Sequence, residues 1–438
     1  SKAILIAGSS FFLVFHRLHV IKMPRLFSRL LRSPAVNFTR FQSLPPYPFP
    51  RMRALLEGLT SDDTSAALNL SVGEPQHAVP DFVTKILTRE QASYNKYPPV
   101  QGTDAWQTAV AAWLTRRNNL TPGQVTAAHL VPLAGSREGL FSIGLVAINR
   151  QKQGQAPLVL SPNPFYQPYA GAAAAAGAET LYVAGSDATG GMPDYGALPK
   201  EILQRTALAF ICNPSNPEGA LASRAYLKQM LTLAREYDFI LVGDECYSEI
   251  YHDQPPVGLM DVCGEMAADG SGTPANPFDH AVVFNSLSKR SNLAGLRSGF
   301  MAGDPRIVAE TIRMRSYGGA PLPLPIQAAS AAAWAEEDHV IRNRALYRRK
   351  FDLAEQYLGD KFNFQRPGGG FCVWLNVGDG EAACRTLWRK AGIKVLPGAY
   401  LARPDAAGHN PGTPYIRLVL VHDDALLEAT LEKIANTL

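Results

Sequence analysis

Between about residues 129 and 285 the chain offers six short apolar runs: HLVPLA (129–134), PLVLS (157–161), TLYVA (180–184), LAFIC (208–212), FILVG (239–243) and AVVFN (281–285). Each is too short for a buried helix. Stretches of helical periodicity, such as TDAWQTAVAAWLTRR (103–117) and SRAYLKQMLTLAREY (223–237), precede or separate them, and Thr103 is placed to cap the first. Strands that are apolar on both faces and alternate with helices build a mostly parallel, doubly wound sheet. This predicts an α/β fold, whose ligands bind beyond the carboxyl ends of the strands.

The pattern changes after PLPLP (321–325). A long helical pattern covers 326–358, FCVWLNV and YIRLVLV read as strands, and a terminal helix is expected near 423–437. That is an α+β unit, so a second, smaller domain is expected there. ADGSGTPANP (268–277) reads as an inserted surface loop. The expected division is an extension outside the fold (1–40), an N-terminal arm with part of the small domain (41–75), a large domain (76–325), and a connecting helix with the small domain (326–438).

Charge is unevenly spread. The net charge is +4, yet residues 1–56 hold nine Lys and Arg and no acid, so the remainder carries 33 basic against 38 acidic residues. A mildly acidic body gives no support to nucleic-acid binding. In the basic head, AILIAGSSFFLVFH is too short to span a bilayer. It lacks the basic flank and cleavage site of a signal peptide, while RLFSRLLRSPAVNFTRF has some transit-peptide character. With Met23 internal, the favoured reading is sequence upstream of the natural start. No membrane association and a cytoplasmic location are expected. The five scattered cysteines include no C-x-x-C and fit a reducing compartment. The nine histidines show no ligand spacing, so no metal is expected.

Four loops at strand ends carry chemistry. AGSREG (134–139) joins a strand to a helix and offers backbone N–H groups to an anion, with Ser136 and Arg137 as further donors. ICNPSNPEG (211–219) is a proline-stiffened turn that holds Asn216. FILVGDECYSEIY (239–251) ends an apolar strand in Asp244 and Glu245, and a carboxylate there is costly without a partner. AVVFNSLSK places Lys289 just past another apolar strand, and SLSKRSNLAGLRSGF puts Arg297 eight residues later. Each loop alone has an ordinary reading as a turn, a helix cap or a solvated charge. Together they supply an amine, a carboxylate, a phenol (Tyr247), an amide and an anion cradle. Those are the parts that hold pyridoxal phosphate: Lys289 for the Schiff base, Asp244 for the pyridinium nitrogen, Asn216 and Tyr247 for the phenolic oxygen.

N-P-x-N-P-x-G, then D-E-x-Y, then S-x-S-K with an arginine eight residues on, resembles the fold-type I pyridoxal-phosphate aminotransferases of class I/II, over about residues 41–438. The resemblance implies that Lys289 is both the Schiff-base lysine and the catalyst of the proton shift, with Asp244 on the pyridinium nitrogen. Gly135, Ser136, Arg137, Ser286 and Arg297 would surround the phosphate, with Ser288 a helper. Tyr166 falls where the family stacks an aromatic on the ring, with Phe165 its nearest rival. Tyr97, in NKYPPVQG, matches a catalytic-site tyrosine that reaches the neighbouring phosphate across a homodimer. Arg417 matches the arginine that grips the substrate α-carboxylate, and Gly73 and Asn216 border the same pocket. Ser298 stands where an aliphatic residue is commoner, and the 268–277 loop lengthens the span from Asp244 to Lys289; neither touches a catalytic role.

LPPYPFPRMRALLEG, LNLSVGEP, SNLAGLRSGFMAGD and AASAAAWAEEDHVIRNRALYRRKFD are further similar to proteobacterial N-succinyldiaminopimelate aminotransferases of lysine biosynthesis. That resemblance implies glutamate as amino donor, small amino-acid and 2-oxo-acid substrates, and a second cation for a distal carboxylate, with Arg315, Arg290 and Arg53 as candidates. Aspartate or aromatic aminotransferases and lyases of the same fold are the enzyme alternatives. A transcription regulator with an aminotransferase-like domain is the non-enzyme alternative, and the 40–55-residue head shows no helix-turn-helix pattern for it.

Overall fold

A computed structural model describes residues 39–42, 44–63, 67–273, 275–362 and 364–438. The readings made of the basic head through residue 38 therefore lie outside the described residues.

Seven strands form the main sheet: β1 (Leu130–Leu133), β2 (Leu158–Asn163), β3 (Glu179–Ala184), β4 (Thr206–Cys212), β5 (Ile240–Asp244), β6 (Ala281–Ser286) and β7 (Gly299–Gly303). Their order across the sheet is β1-β7-β6-β5-β4-β2-β3. The pairs β2–β3, β2–β4, β4–β5 and β5–β6 are parallel, while β7 runs antiparallel to both β1 and β6. The six strands expected from sequence are all present. β7 was not expected: GFMAG is short and glycine-rich, and its only preference for a strand comes from the two neighbours between which it lies.

Helices cover both faces of the sheet. Thr103 caps the Asp104–Arg117 helix, its hydroxyl accepting from the Trp106 N–H. On one face Trp113 and Trp334 meet at 4.7 Å between ring centroids, and Phe300 of β7 packs on both. On the other face the Ser136–Ala147 and Gln167–Ala176 helices approach closely enough that a Cβ on Gly144 would lie 2.5 Å from the Ala172 carbonyl oxygen.

The region expected as one long helix over 326–358 is two helices, Leu324–Ala335 and Asp338–Phe362. Glu336 is extended, and its carboxylate accepts from the Asp338 and His339 N–H groups at 3.1 Å each, closing the start of the second helix. Arg290 closes the end of the first, donating to the Ala333 carbonyl at 2.6 Å and to the Glu337 carboxylate at 2.8 Å. The break answers to tertiary partners that a periodic pattern does not carry.

A second core gathers around β8 (Cys372–Asn376), β9 (Leu396–Pro397) and β10 (Tyr415–Val419), ordered β9-β10-β8 and antiparallel. The Pro48–Leu56 helix contributes Met52 and Leu56 to it, and the terminal Asp424–Thr437 helix contributes Leu427, Leu431 and Ile434. A short parallel pairing of Leu68 with Ile393 ties the segment before Gly73 to this core. Among the described residues no helix is long and apolar enough to cross a membrane.

Gly144→Ala is expected to destabilise the protein by about 1–3 kcal/mol, because the obstacle is backbone and cannot rotate away. Chemical denaturation of the variant against the parent measures it; an unchanged midpoint would show that the two helices can part.

Candidate functional site

Chain direction alone brings most of the expected residues to one edge of the sheet. Gly135 and Ser136 follow β1, Tyr166 follows β2, Asn216 follows β4, Asp244 ends β5, and Ser286, Ser288 and Lys289 end or follow β6. These are carboxyl ends of strands running one way. Arg297 reaches the same edge because it precedes β7, the strand that runs the other way.

They line a cleft with two lobes. The first, of about 200 Å³, is bordered by Asp244, Asn216, Tyr247, Lys289 and Arg417. The second, of about 410 Å³, is bordered by Ser286, Ser288 and Arg297, and shares Gly73, Ser136, Arg137, Tyr166 and Lys289 with the first. Tyr166 faces both lobes. Phe165 borders only the first and is 2% exposed, its ring packed on Tyr182 at 4.7 Å.

Lys289 lies on the short Leu287–Arg290 helix, and its amine donates to the Gly73 carbonyl. Burial pushes its pKa down to about 8, and the nearby Arg417 charge adds to the shift. The amine stands 5.1 Å from the centre of the Phe371 ring, which also packs edge-on against Tyr247. Asp244 is 4% exposed. Its carboxylate accepts from the Tyr169 hydroxyl at 2.7 Å and from the Cys246 N–H at 3.4 Å, and burial raises its pKa against those two bonds. The Asn216 amide donates to the Tyr247 hydroxyl at 3.2 Å. Burial holds Tyr247 well above its usual pKa and takes Tyr166 to about 12, so both phenols are neutral near pH 7.

The 134–136 loop and Arg297 fit each other. Gly135 has φ 83°, and a Cβ there would strike the Arg297 guanidinium. Arg297 itself is left-handed at φ 53° and donates to the Ala134 and Ala294 carbonyls at 2.8 Å each. Ser286 accepts from the Ser288 N–H, which keeps both hydroxyls on the second lobe. Arg417, on β10, donates to the Ser71 carbonyl at 2.7 Å and to the Asn216 side-chain oxygen at 3.5 Å, and its Nε is buried without a partner.

Some expectations are not met within this chain. Tyr97 is fully exposed and borders neither lobe. None of the three candidate cations for a distal carboxylate borders the cleft. Arg315 pairs with Glu138, Arg290 is buried at the helix break described above, and Arg53 lines a separate groove with Trp388 and Lys394. The cations bordering the first lobe are Lys289, Arg137 and Arg417. Sequence reading also passed over Tyr169 and Phe371. Tyr169 carried a signal, standing one helical turn after Tyr166, whereas Phe371 reaches the amine only through tertiary packing.

A buried carboxylate whose partners are all neutral, facing a cavity that also holds a lysine amine of lowered pKa, suits a ligand with a cationic ring nitrogen and a reactive carbonyl. The second lobe, with Ser136, Ser286 and Ser288, the arginines Arg137 and Arg297, and the start of the Ser136–Ala147 helix, suits a phosphate. The residues present thus fit pyridoxal phosphate, and define a pyridoxal-phosphate-dependent enzyme.

Residues 65–434 match the family of class I and II aminotransferases, and the chain belongs to it. It is 31% identical over 373 residues to a 4-dedimethylamino-4-oxo-anhydrotetracycline transaminase from Streptomyces rimosus, covering 84% of this chain and 92% of that one. It is 28% identical over 412 residues to the LL-diaminopimelate aminotransferase of Syntrophobacter fumaroxidans, covering 91% and 98%. Among solved structures, an aminotransferase from Neisseria meningitidis superposes with a TM-score of 0.83 at 38% identity, over 91% of this chain and 99% of that one. The aminotransferase AspB from Helicobacter pylori does so with 0.79 at 35%, over 90% and 98%. The fold is that of fold-type I aminotransferases, and the protein is an aminotransferase that uses pyridoxal phosphate with amino-acid and 2-oxo-acid substrates.

Two outcomes are expected from this geometry. Lys289 should react with an amine-directed reagent at a rate half-maximal near pH 8, whereas ordinary lysines titrate near 10.4; mass spectrometry of the modified peptide reads this, and a rate still climbing at pH 10 would contradict the lowered pKa. Tyr169→Phe removes one donor from Asp244, a change of about 1–3 kcal/mol. Apoprotein titrated with pyridoxal phosphate should bind on the order of tenfold more weakly.

Proposed function

We propose that the enzyme transfers the amino group of N-succinyl-LL-2,6-diaminopimelate to 2-oxoglutarate, giving N-succinyl-2-amino-6-ketopimelate and glutamate. The observation that carries an amino-acid substrate is Arg417, a guanidinium at the cleft with a buried, unpartnered Nε. Sequence similarity in the stretches quoted above supports the succinylated substrate. The names of the curated relatives support a diaminopimelate skeleton and favour, as a second reading, the unsuccinylated LL-diaminopimelate.

Bound pyridoxal phosphate supplies a carbonyl carbon that exchanges amines and a ring that accepts electrons. The chain's own groups do the rest. Arg417 holds the substrate α-carboxylate as a two-pronged donor, with Asn216 and Gly73 beside it. The Lys289 amine, half neutral near pH 8, would act as the base that takes the proton from the substrate α-carbon. Asp244, which accepts from the Tyr169 hydroxyl and the Cys246 N–H, would pair with the ring nitrogen. Asn216 and Tyr247 would donate to the phenolic oxygen, and Tyr166 would stack on the ring. Gly135, Ser136, Arg137, Ser286, Ser288 and Arg297 would hold the phosphate. Tyr97 is assigned to the cleft of a second copy in a homodimer, which its full exposure on this chain supports. The division at residues 75/76 is supported by Met52, Leu56 and Leu70 packing in one core while Val83 and Trp106 pack in another; the proposed division at 325/326 has no such support, because Ala329, Ala333 and Trp334 pack into the core of the large domain.

The purified protein is expected to be yellow, to lose the colour with glutamate, and to regain it with N-succinyl-2-amino-6-ketopimelate. Recovery with the unsuccinylated keto acid alone would move the assignment to the second reading. Recovery with oxaloacetate or phenylpyruvate alone would remove both.

A further inference from the structure

Lys350 lies on the Asp338–Phe362 helix, borders neither lobe of the cleft, and is 1% exposed. Its ammonium donates to His77 Nε2 at 2.7 Å, to the Val421 carbonyl at 3.3 Å and to the His422 carbonyl. Three protons thus meet three acceptors. On the other side of the imidazole, His77 Nδ1 lies 2.7 Å from Asn343 Oδ1. The Asn343 amide nitrogen donates to the carbonyls of Lys289, at 3.2 Å, and Arg290, at 3.3 Å.

The directions of these bonds are mutually fixed. Two backbone carbonyls can only accept, so the amide nitrogen of Asn343 faces them and its oxygen faces His77. His77 Nδ1 must then carry a proton, which leaves Nε2 as the acceptor that Lys350 requires. Every group in the line has one role.

The line joins two parts of the site that lie far apart in the chain. At one end it holds the peptide of Lys289. Midway it holds His77, four residues beyond Gly73, whose carbonyl receives the Lys289 amine. At the other end it holds residues 421–422, where the chain leaves the strand that carries Arg417.

We propose that Asn343, His77 and Lys350 are positioning residues for the reaction, setting the Lys289 amine in register with the Arg417 guanidinium. The inference rests on the roles given above to those two residues. His77 is packed on Tyr347 at 4.7 Å between rings, with Asp424 the acidic group acting on it and Asp423 and Asp424 those acting on Lys350.

The test uses the holoenzyme with Asn343→Ala, His77→Ala and His77→Gln. Glutamine supplies one N–H and one acceptor and carries no charge. The readouts are kcat, the amino-donor KM, and the pH midpoint of the visible band of bound pyridoxal phosphate. Both alanine variants should lose on the order of tenfold to a hundredfold in kcat, the size of effect expected from a misplaced catalytic group. Their KM should change less, their visible band should titrate at a displaced pH, and His77→Gln should restore both quantities. A purely structural role would lower thermal stability and leave kcat and the band where they are. Folded alanine variants with unaltered kcat and band would overturn the proposal, as would a loss that His77→Gln fails to restore. If Asn343→Ala does not fold, the His77 pair decides by itself. A wild-type protein with no visible band would overturn the role of Lys289 and, with it, this proposal.

Discussion

Asp244 is the constraint around which the site is arranged. A carboxylate at the end of the central strand β5, 4% exposed, would take up a proton unless something nearby favoured its charge. Among the described residues its hydrogen-bond donors are neutral, the Tyr169 hydroxyl and the Cys246 N–H. The charge that balances Asp244 is therefore left to the cofactor's ring nitrogen. Burial acts in the opposite sense on Lys289, lowering its pKa to about 8. One cavity thus holds a carboxylate with no charged partner, suited to a cationic ring, and an amine of lowered pKa, suited to a carbonyl.

Strand direction does the gathering. Asn216, Asp244 and Lys289 come from the carboxyl ends of three adjacent parallel strands, and Ser136 from β1 at the edge. An arginine eight residues after Lys289 would be carried off to the far edge if β7 were parallel to its neighbours. Because β7 is antiparallel and starts where the others end, Arg297 stays on the phosphate side. The left-handed backbone at Arg297 and the positive φ of Gly135 are local consequences of fitting these two segments face to face.

Much of this was legible in the sequence for a plain reason. Six strands are apolar throughout because both faces are buried, and the loops after them must carry the polar chemistry, so position along the chain stands in for position in space. The unexpected strand, β7, has no such signature. Its residues form a strand because β1 and β6 offer hydrogen bonds on either side. The single long helix read over 326–358 failed similarly: Ala, Glu and Asp support helix on either side of the break, and Glu336 and Arg290 act there through partners distant in the chain. The three cations suggested for a distal carboxylate had no motif to place them, and ion pairing or burial removes two of them from the cleft.

By itself, then, the sequence determined the class of fold, the family, and the order in which amine, carboxylate, amide and anion cradle would meet, because local pattern and strand polarity are enough for that. Only the tertiary structure decided which donors face Asp244, where Arg417 sits relative to Lys289, and how the His77–Asn343–Lys350 line runs between them. Those features depend on contacts between residues tens to hundreds of positions apart, and their geometry exists only once both cores have packed.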